Sequence, residues 1–332
     1  MLKRIKMRIL NTYCQVEFLS HLFENFPDTP IHDMFLHHDE LLQKWLYIYE
    51  VIFRKSNLHV DDKEEILSII RDNNVNPFWL RLINAHNSGG SRIHQCNEHL
   101  DHFDNLYPSG LFYFSELNDI PHDEKGVFLN DIETWSELIL PISNRITRTI
   151  SQNNHLNNFE GWNILSEIGL PINAAVISDR YFLRKPRAYN SNIYKILEYL
   201  IPSNLSVPFH LTIITSFEKA FREQLCIQQL SSYFDDRFIE NELTFSLFSF
   251  SVNELPHDRH ILTNYYRIQS GHSFDYFNEN GNINRDSTFD ILPLNSESQD
   301  NYLTILKILR NIVHDRNPVI GDGVNRLFSF IH

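Results

Sequence analysis

The chain has 332 residues, of which 42% are hydrophobic and 21% are charged, and this balance excludes a wholly disordered protein. Its formal net charge of −13 argues against a protein that coats nucleic acid by charge alone, but it leaves room for a local basic groove. The three cysteines are far apart, and no stretch reaches the roughly 18 apolar residues of a membrane span. We therefore expect a cytoplasmic protein without a disulfide framework or a transmembrane segment.

The first half of the chain is mostly helical in pattern. Apolar residues between Leu41 and Tyr49, and again between Ile66 and Ile70, recur at helical spacing, and residues 111–114 read as a short aromatic strand. Residues 151–160 are polar, rich in Asn and without apolar periodicity, which is typical of a domain boundary. The pattern predicts an α-rich N-terminal domain over residues 1–155 and a second domain over residues 156–332.

The second half alternates between strand-like and helix-like segments. Apolar or alternating runs predict strands, and segments of helical periodicity lie between or after them. This order predicts an α/β domain in which helices cover a mixed sheet. The predicted strands are residues 174–178, 209–215, 243–252, 260–263 and 265–268, and the predicted helices begin near residues 193, 217 and 299.

A short polar triplet, His257-Asp258-Arg259, comes just before the predicted strand pair. An Arg supplies a fork of donors to a phosphate, a His can act as nucleophile or acid, and a carboxylate can fix the imidazole tautomer. The same residue types also cap strands or form surface ion pairs. Both interpretations stay open on spacing alone.

Three segments of the second half resemble the phospholipase-D-like domain at the C-terminus of MIT-domain proteins, which belong to the cytokinesis and membrane-scission machinery. That family has a strand ending in Asp-Pro-Tyr, a later His-Asp-Arg and a Gly-hydrophobic-Asp-Tyr-Phe segment. This chain has Asp179-Arg180-Tyr181, His257-Asp258-Arg259 and GHSFDYF at residues 271–277, in the same order. The resemblance covers roughly residues 165–295 and implies a phospholipase-D-like mixed-sheet domain.

Two departures from the family bear on function. Arg180 replaces the family's Pro, and no MIT three-helix module is recognisable upstream, so the partners of that module are not carried over. Active phospholipase-D-type enzymes use His-x-Lys-x4-Asp, and the resemblance implies that His257, Arg259 and Asn264 occupy these positions, followed by Gly271. Arg can still hold a phosphate, whereas Asn cannot stabilise an imidazolium. These enzymes also need two facing motifs, which a homodimer could supply.

A basic loop follows the first predicted strand of this domain. It contains Arg180, Arg184, Lys185 and Arg187 within eight residues. In an α/β sheet the loops at the carboxyl ends of the strands are where ligands bind, although a solvated loop is an equally good interpretation. The candidate binding set is therefore Asp179, Arg180, Arg184, Arg187, His257, Arg259 and Gly271.

Two further patterns contain residue types that can bind metal ions. His94, Cys96, His99 and His102 could bind zinc, but their spacing matches no closed site. The first half also has the scattered carboxylates that a PIN-type nuclease gathers around Mg²⁺. PIN domains, however, open with a strand ending in Asp, and the segment MRILNTYCQVEF has none. We expect solvated faces, with no metal site and no cofactor. These carboxylates are Asp61, Asp62, Asp101, Asp104, Asp131 and Glu133.

The sequence thus favours a non-catalytic adaptor that binds a phosphate-bearing ligand, either nucleic acid or an anionic lipid headgroup, or a protein partner in a larger complex. The alternative is a metal-independent phosphodiesterase or nuclease that uses His257, Arg259 and Asn264 in a homodimer. The biological setting stays open between membrane scission and a prokaryotic antiviral-defence system.

Overall fold

The computed structural model of the chain describes residues 10–27, 30–36, 39–49, 56–72, 77–87, 93–96, 109–116, 122–136, 145–217, 220–238, 242–294 and 299–329. The protein is an α/β protein that divides into two compact units. The first unit comprises Met1–His122, Val127–Ser143 and Leu294–Asp300, and the second comprises Asp123–Gly126, Asn144–Pro293 and Asn301–His332.

The first unit contains a five-stranded sheet in which every pair of neighbouring strands is parallel. Its strands are β1 (Leu10–Cys14), β2 (Ser56–Val60), β3 (Ile93–Gln95), β4 (Leu111–Tyr113) and β5 (Phe128–Asn130), in the order β3-β2-β1-β4-β5. The helices of this unit are α1 (Val16–Glu24), α2 (Ile31–Met34), α3 (Glu40–Ile48), α4 (Lys63–Asp72) and α5 (Pro77–Asn87).

Helix α4 shows how the sequence forms the helices of this unit. The Asp62 carboxylate accepts a hydrogen bond from the Glu65 backbone N–H at 2.9 Å and so caps the first turn. Ile66 and Ile70, one turn apart, are buried, whereas the residues around them are mostly exposed. A single apolar stripe therefore packs this helix into the unit.

The second unit contains a seven-stranded mixed sheet in the order β6-β12-β11-β10-β7-β8-β9. Strands β7, β8 and β9 are parallel, and the other pairings are antiparallel. The strands are β6 (Ile146–Ile150), β7 (Ala174–Ser178), β8 (Phe209–Ser216), β9 (Leu243–Phe250), β10 (Arg259–Thr263), β11 (Tyr266–Ser270) and β12 (Ser287–Pro293). The helices are α6 (Ile164–Glu167), α7 (Ile193–Leu200), α8 (Ala220–Arg237), α9 (Gln299–His314) and α10 (Arg326–Ser329).

The central strands β7 and β10 are buried along their whole length, as expected for strands covered on both faces. Because β10 runs antiparallel to β7, the start of β10 lies beside the end of β7. The end of β11 lies there as well. We call this side the carboxyl edge of the second sheet, and the opposite side its amino edge.

Several predicted elements need correction. The first unit contains a complete parallel sheet, of which the sequence pattern predicted only the strand at residues 111–114. The predicted boundary at residue 155 differs from the division of the structure, because β6 pairs with β12 and belongs to the second unit. Strand β12 was not predicted either. Both missed strands place Thr, Arg or Asp between their apolar residues, which weakens the strand signal in the sequence.

The residues that the structure describes include no helix of the length and apolarity that crossing a bilayer requires.

Candidate functional site

Three loops meet at the carboxyl edge of the second sheet. One follows β7 and begins at Asp179, one precedes β10, and one follows β11 from Gly271. Ser178 pairs with His260 across β7 and β10, so Asp179 and Arg259 are the next residues toward this edge. The structure therefore brings the three segments that carry the family resemblance to one edge of one sheet.

Asp179 anchors the loop after β11. Its carboxylate accepts hydrogen bonds from Ser273 Oγ at 2.7 Å, from the Phe274 N–H at 2.9 Å and from the Tyr181 N–H at 2.9 Å. Burial raises the pKa of Asp179, and these hydrogen bonds oppose that rise. The side chain thus fixes the loop rather than facing solvent.

Arg180 holds the segment in front of His257. Its guanidinium donates to the backbone oxygen of Leu255 and, at 3.0 Å, to that of Pro256. The Arg180 carbonyl in turn accepts from Ser216 Oγ at 2.9 Å. Arg180 is therefore a positioning residue whose Nε and Nη2 are used within the protein, and its direct contact with a ligand stays a prediction.

Arg259 is the cation at the centre of the site. Its side chain is buried, with 8% of the residue exposed, and Nη1 lies 3.5 Å from the Gly271 carbonyl oxygen. Its Nε has no hydrogen-bond partner, and no carboxylate of the described residues lies within 4.0 Å of the guanidinium. A buried guanidinium with an unpartnered N–H can donate to an anionic ligand.

His257 and Asn264, the other two residues of the degenerate motif, have different surroundings from Arg259. His257 is exposed and, among the described residues, has no hydrogen-bond partner that would orient the imidazole. Asn264 follows β10 at the amino edge, about 16 Å from Arg259 at the usual rise of an extended strand. There its Oδ1 accepts from the backbone N–H groups of Asn173 and Ala174, both at 3.0 Å. Asn264 therefore fastens the start of β7, and the catalytic use of His257, Arg259 and Asn264 stays a prediction.

The basic residues of the loop after β7 differ in whether an ion pair holds them within the fold. Lys185 Nζ lies 2.7 Å from Asp275, which also pairs with Arg285 at 3.2 Å, so this lysine is engaged within the fold. Arg184 and Arg187 are exposed, and the Arg184 guanidinium lies 5.2 Å from the centre of the Tyr181 ring. These two arginines can contribute positive charge near the rim of the site.

Sequence reasoning missed Thr215, which the sheet register places in this site. Ile214 pairs with Ser178, so Thr215 follows toward the same edge as Asp179 and Arg259. Thr215 is fully buried, and its Oγ1 has no hydrogen-bond partner. No pattern in the sequence marks it, since the signal lies in the pairing of parallel strands.

Strand β10 also presents polar groups on its other face. His260 is buried with an unpartnered Nδ1, and burial together with the charge of Arg267 lowers the pKa of His260 to about 4. Arg267 is buried as well, and its Nε lacks a partner. The carboxylates of Asp258 and Asp290 act on Arg267 electrostatically, so its charge is partly balanced.

The metal alternatives of the first unit find no support in its described residues. Asp61 accepts from the Val16 N–H at 2.8 Å, and Asp131 accepts from the Thr134 N–H at 2.8 Å, so both carboxylates organise local backbone. Across the described ranges, no cluster of three or more His, Cys, Asp and Glu side chains is arranged to hold a metal ion. The predicted candidates His99, His102, Asp101 and Asp104 lie outside the described residues.

Neither the known protein-family models nor the curated proteins contain a match to this chain.

Proposed function

We propose that the second unit is a non-catalytic, phospholipase-D-like module that binds a phosphate-bearing ligand at its carboxyl edge. The observation that carries the proposal is the buried Arg259 guanidinium, whose Nε has no partner and whose charge has no carboxylate within 4.0 Å among the described residues. Nucleic acids and anionic lipid headgroups share the phosphate chemistry that this group recognises.

The energetics of burial support an anionic ligand. Leaving a buried charged donor without a partner costs on the order of 1–3 kcal/mol or more. A phosphate oxygen on Arg259 would remove that cost, and the interaction would be a charge-assisted hydrogen bond. The exposed side chains of Arg184 and Arg187 would add longer-range attraction without fixing the ligand's orientation.

The arrangement of the other motif residues favours binding over hydrolysis. A nucleophilic His needs a group that orients its imidazole, and His257 has none among the described residues. Asn264 is committed to the backbone at the amino edge. We therefore place the phosphodiesterase interpretation second, as an outcome that the following experiment can reveal.

The first test compares Arg259→Gln with Arg237→Gln in the full chain. Arg237 pairs with Glu198 at 3.0 Å at the end of α8, so the control removes the same charge far from the carboxyl edge. Calorimetric titration with inorganic phosphate should show affinity reduced about 10- to 100-fold for Arg259→Gln, the value of a hydrogen bond to a charged group. Arg237→Gln should bind like the wild type.

Equal binding by both variants would contradict the proposal. The same proteins should not cleave a generic phosphodiester in the presence of a chelator. Cleavage that His257→Ala abolishes would instead establish the phosphodiesterase.

A further inference from the structure

We infer that Thr215 is a second donor to the bound anion, and that the enclosed site takes inorganic phosphate or a terminal phosphoryl group rather than an internal phosphodiester. This inference rests on the proposed function and names the ligand class of the same site. It adds a residue outside the three segments that carry the family resemblance.

The sheet register places Thr215 in the same row as Arg259. Ile214 pairs with Ser178, and Ser178 pairs with His260. One residue further toward the carboxyl edge, the row continues as Thr215 on β8, then Asp179 and Arg259. Side chains of directly opposed residues project from the same face of a sheet, so Thr215 and Arg259 flank Asp179 on one face.

The two flanking side chains both have unused donors. Thr215 Oγ1 and Arg259 Nε are buried without hydrogen-bond partners. The neighbouring Ser216 is different, because its hydroxyl donates to the Arg180 carbonyl at 2.9 Å. Buried hydroxyl groups are normally hydrogen-bonded, so we take the two unpartnered donors of this row as the contacts of a bound acceptor.

Asp179 is compatible with an anion in this row. Its Oδ1 already accepts from the Tyr181 N–H, and its Oδ2 accepts from Ser273 Oγ and the Phe274 N–H. These three donors offset its negative charge locally. Burial also raises the pKa of Asp179, so protonation of this carboxyl beside an incoming anion is less costly than for an exposed one.

The site is enclosed by the loop after β11. Ser273 and Phe274 of this loop are fastened to Asp179, and Tyr276 stacks on the Trp162 ring with 5.1 Å between the ring centroids. The row of side chains beneath it is almost inaccessible, with 0% of Thr215 and 1% of Asp179 exposed. An internal diester carries a chain on both sides, whereas a terminal phosphoryl group carries one, so a site beneath this loop would favour the latter.

The test uses Thr215→Val, which keeps the shape of the side chain and removes the hydroxyl. The free variant should melt at a higher temperature than the wild type, because a buried unpartnered hydroxyl is gone. Its affinity for inorganic phosphate should fall about 10-fold, and Thr215→Ser should restore it. A merely structural role for Thr215 would not raise stability and lower affinity together.

The control is Thr212→Val on the same strand. Thr212 Oγ1 accepts a hydrogen bond from Asn325 Nδ2 at 3.0 Å, so this variant should lose stability while keeping the affinity for phosphate. If Thr215→Val binds phosphate as the wild type does while Arg259→Gln does not, Thr215 is not a donor and the proposed function still stands. If neither variant changes the affinity for phosphate, the role of Thr215 and the proposed function are both contradicted.

The ligand class is tested with methyl phosphate and dimethyl phosphate as matched probes. Calorimetry should show methyl phosphate binding about 10-fold more tightly than dimethyl phosphate, and Thr215→Val should reduce that preference. Equal affinities for the two probes would overturn the enclosed, terminal site.

Discussion

The carboxyl edges of the two sheets differ in how their polar side chains are used. At the edge of the first sheet, Gln15 Oε1 accepts from both the backbone N–H and the hydroxyl of Ser115, at 2.7 and 3.0 Å. Asp61 there accepts from the first turn of α1. At the edge of the second sheet, Arg259 and Thr215 have donors without partners.

A suitable topology alone therefore does not make a binding site. Both sheets offer parallel strand ends where ligands commonly bind in α/β proteins. In the first unit Gln15 and Asp61 at those ends already accept from backbone N–H groups, so a ligand would have to displace them. In the second unit the unsatisfied donors can be satisfied by a ligand, and binding stabilises the fold by linkage.

Acid stability should show the strongest contrast between the two units. Burial lowers the pKa of both His260 and His59 to about 4, from 6.5. Each residue binds fewer protons in the folded than in the unfolded state, so stability is lost as pH falls from about 6.5 to 4. His260→Gln should remove about 3 kcal/mol of this loss, as pH-dependent urea unfolding can measure.

His59→Gln is the matched change in the first unit, and His59 is only half-buried. It should remove a smaller part of the pH dependence than His260→Gln. An unchanged pH profile for His260→Gln would show that folding does not lower the pKa of this histidine.

A second, smaller contrast concerns the carboxylates Asp179 and Asp61, which have different exposure. Asp179→Ala removes a buried acceptor, so hydrogen exchange at the Phe274 amide should accelerate about 10- to 100-fold, as expected for a hydrogen bond to a charged group. Asp61→Ala removes an exposed acceptor of the Val16 N–H and should leave exchange at Phe274 unchanged. Retained protection at Phe274 in Asp179→Ala would contradict the anchoring of the loop.

The smallest expected change in stability concerns Asn130. Unlike Gln15 and Asp61, this side chain at the carboxyl edge of the first sheet has no hydrogen-bond partner. Asn130, at the end of β5, is fully buried, and neither amide atom has a partner. Asn130→Leu should raise the free energy of unfolding by about 1 kcal/mol, because two desolvated polar atoms are removed. Thermal and urea unfolding measure this. Loss of phosphate affinity in this variant would place an anion contact in the first unit and contradict the contrast between the two edges.

The sequence predicted the structure best for strands that are buried along their whole length. It predicted least for residues whose position depends on how neighbouring strands pair. Residues 174–178 were predicted as a strand because nearly every side chain is small or apolar, and the structure has β7 there. Thr215 could not be predicted, because only the register of β8 beside β7 aligns it with Asp179.

The position of Asn264 could not be predicted for a related reason. Spacing along the chain places it five residues beyond Arg259, but an extended strand carries those five residues across the sheet to the opposite edge. The family pattern pointed to loops that share one edge, while the roles of individual residues depended on the register and on hydrogen bonds that the sequence does not encode directly.

The most direct test of an anion on Arg259 follows its Nε–H signal by NMR. In protein labelled with 15N-arginine, the signal is assigned by its absence in Arg259→Lys and then followed during titration with inorganic phosphate. We expect a saturable downfield shift and slower exchange with water as Nε gains its partner. If only the signals of Arg184 and Arg187 move while that of Arg259 stays fixed, phosphate binds at the rim and the buried site is contradicted.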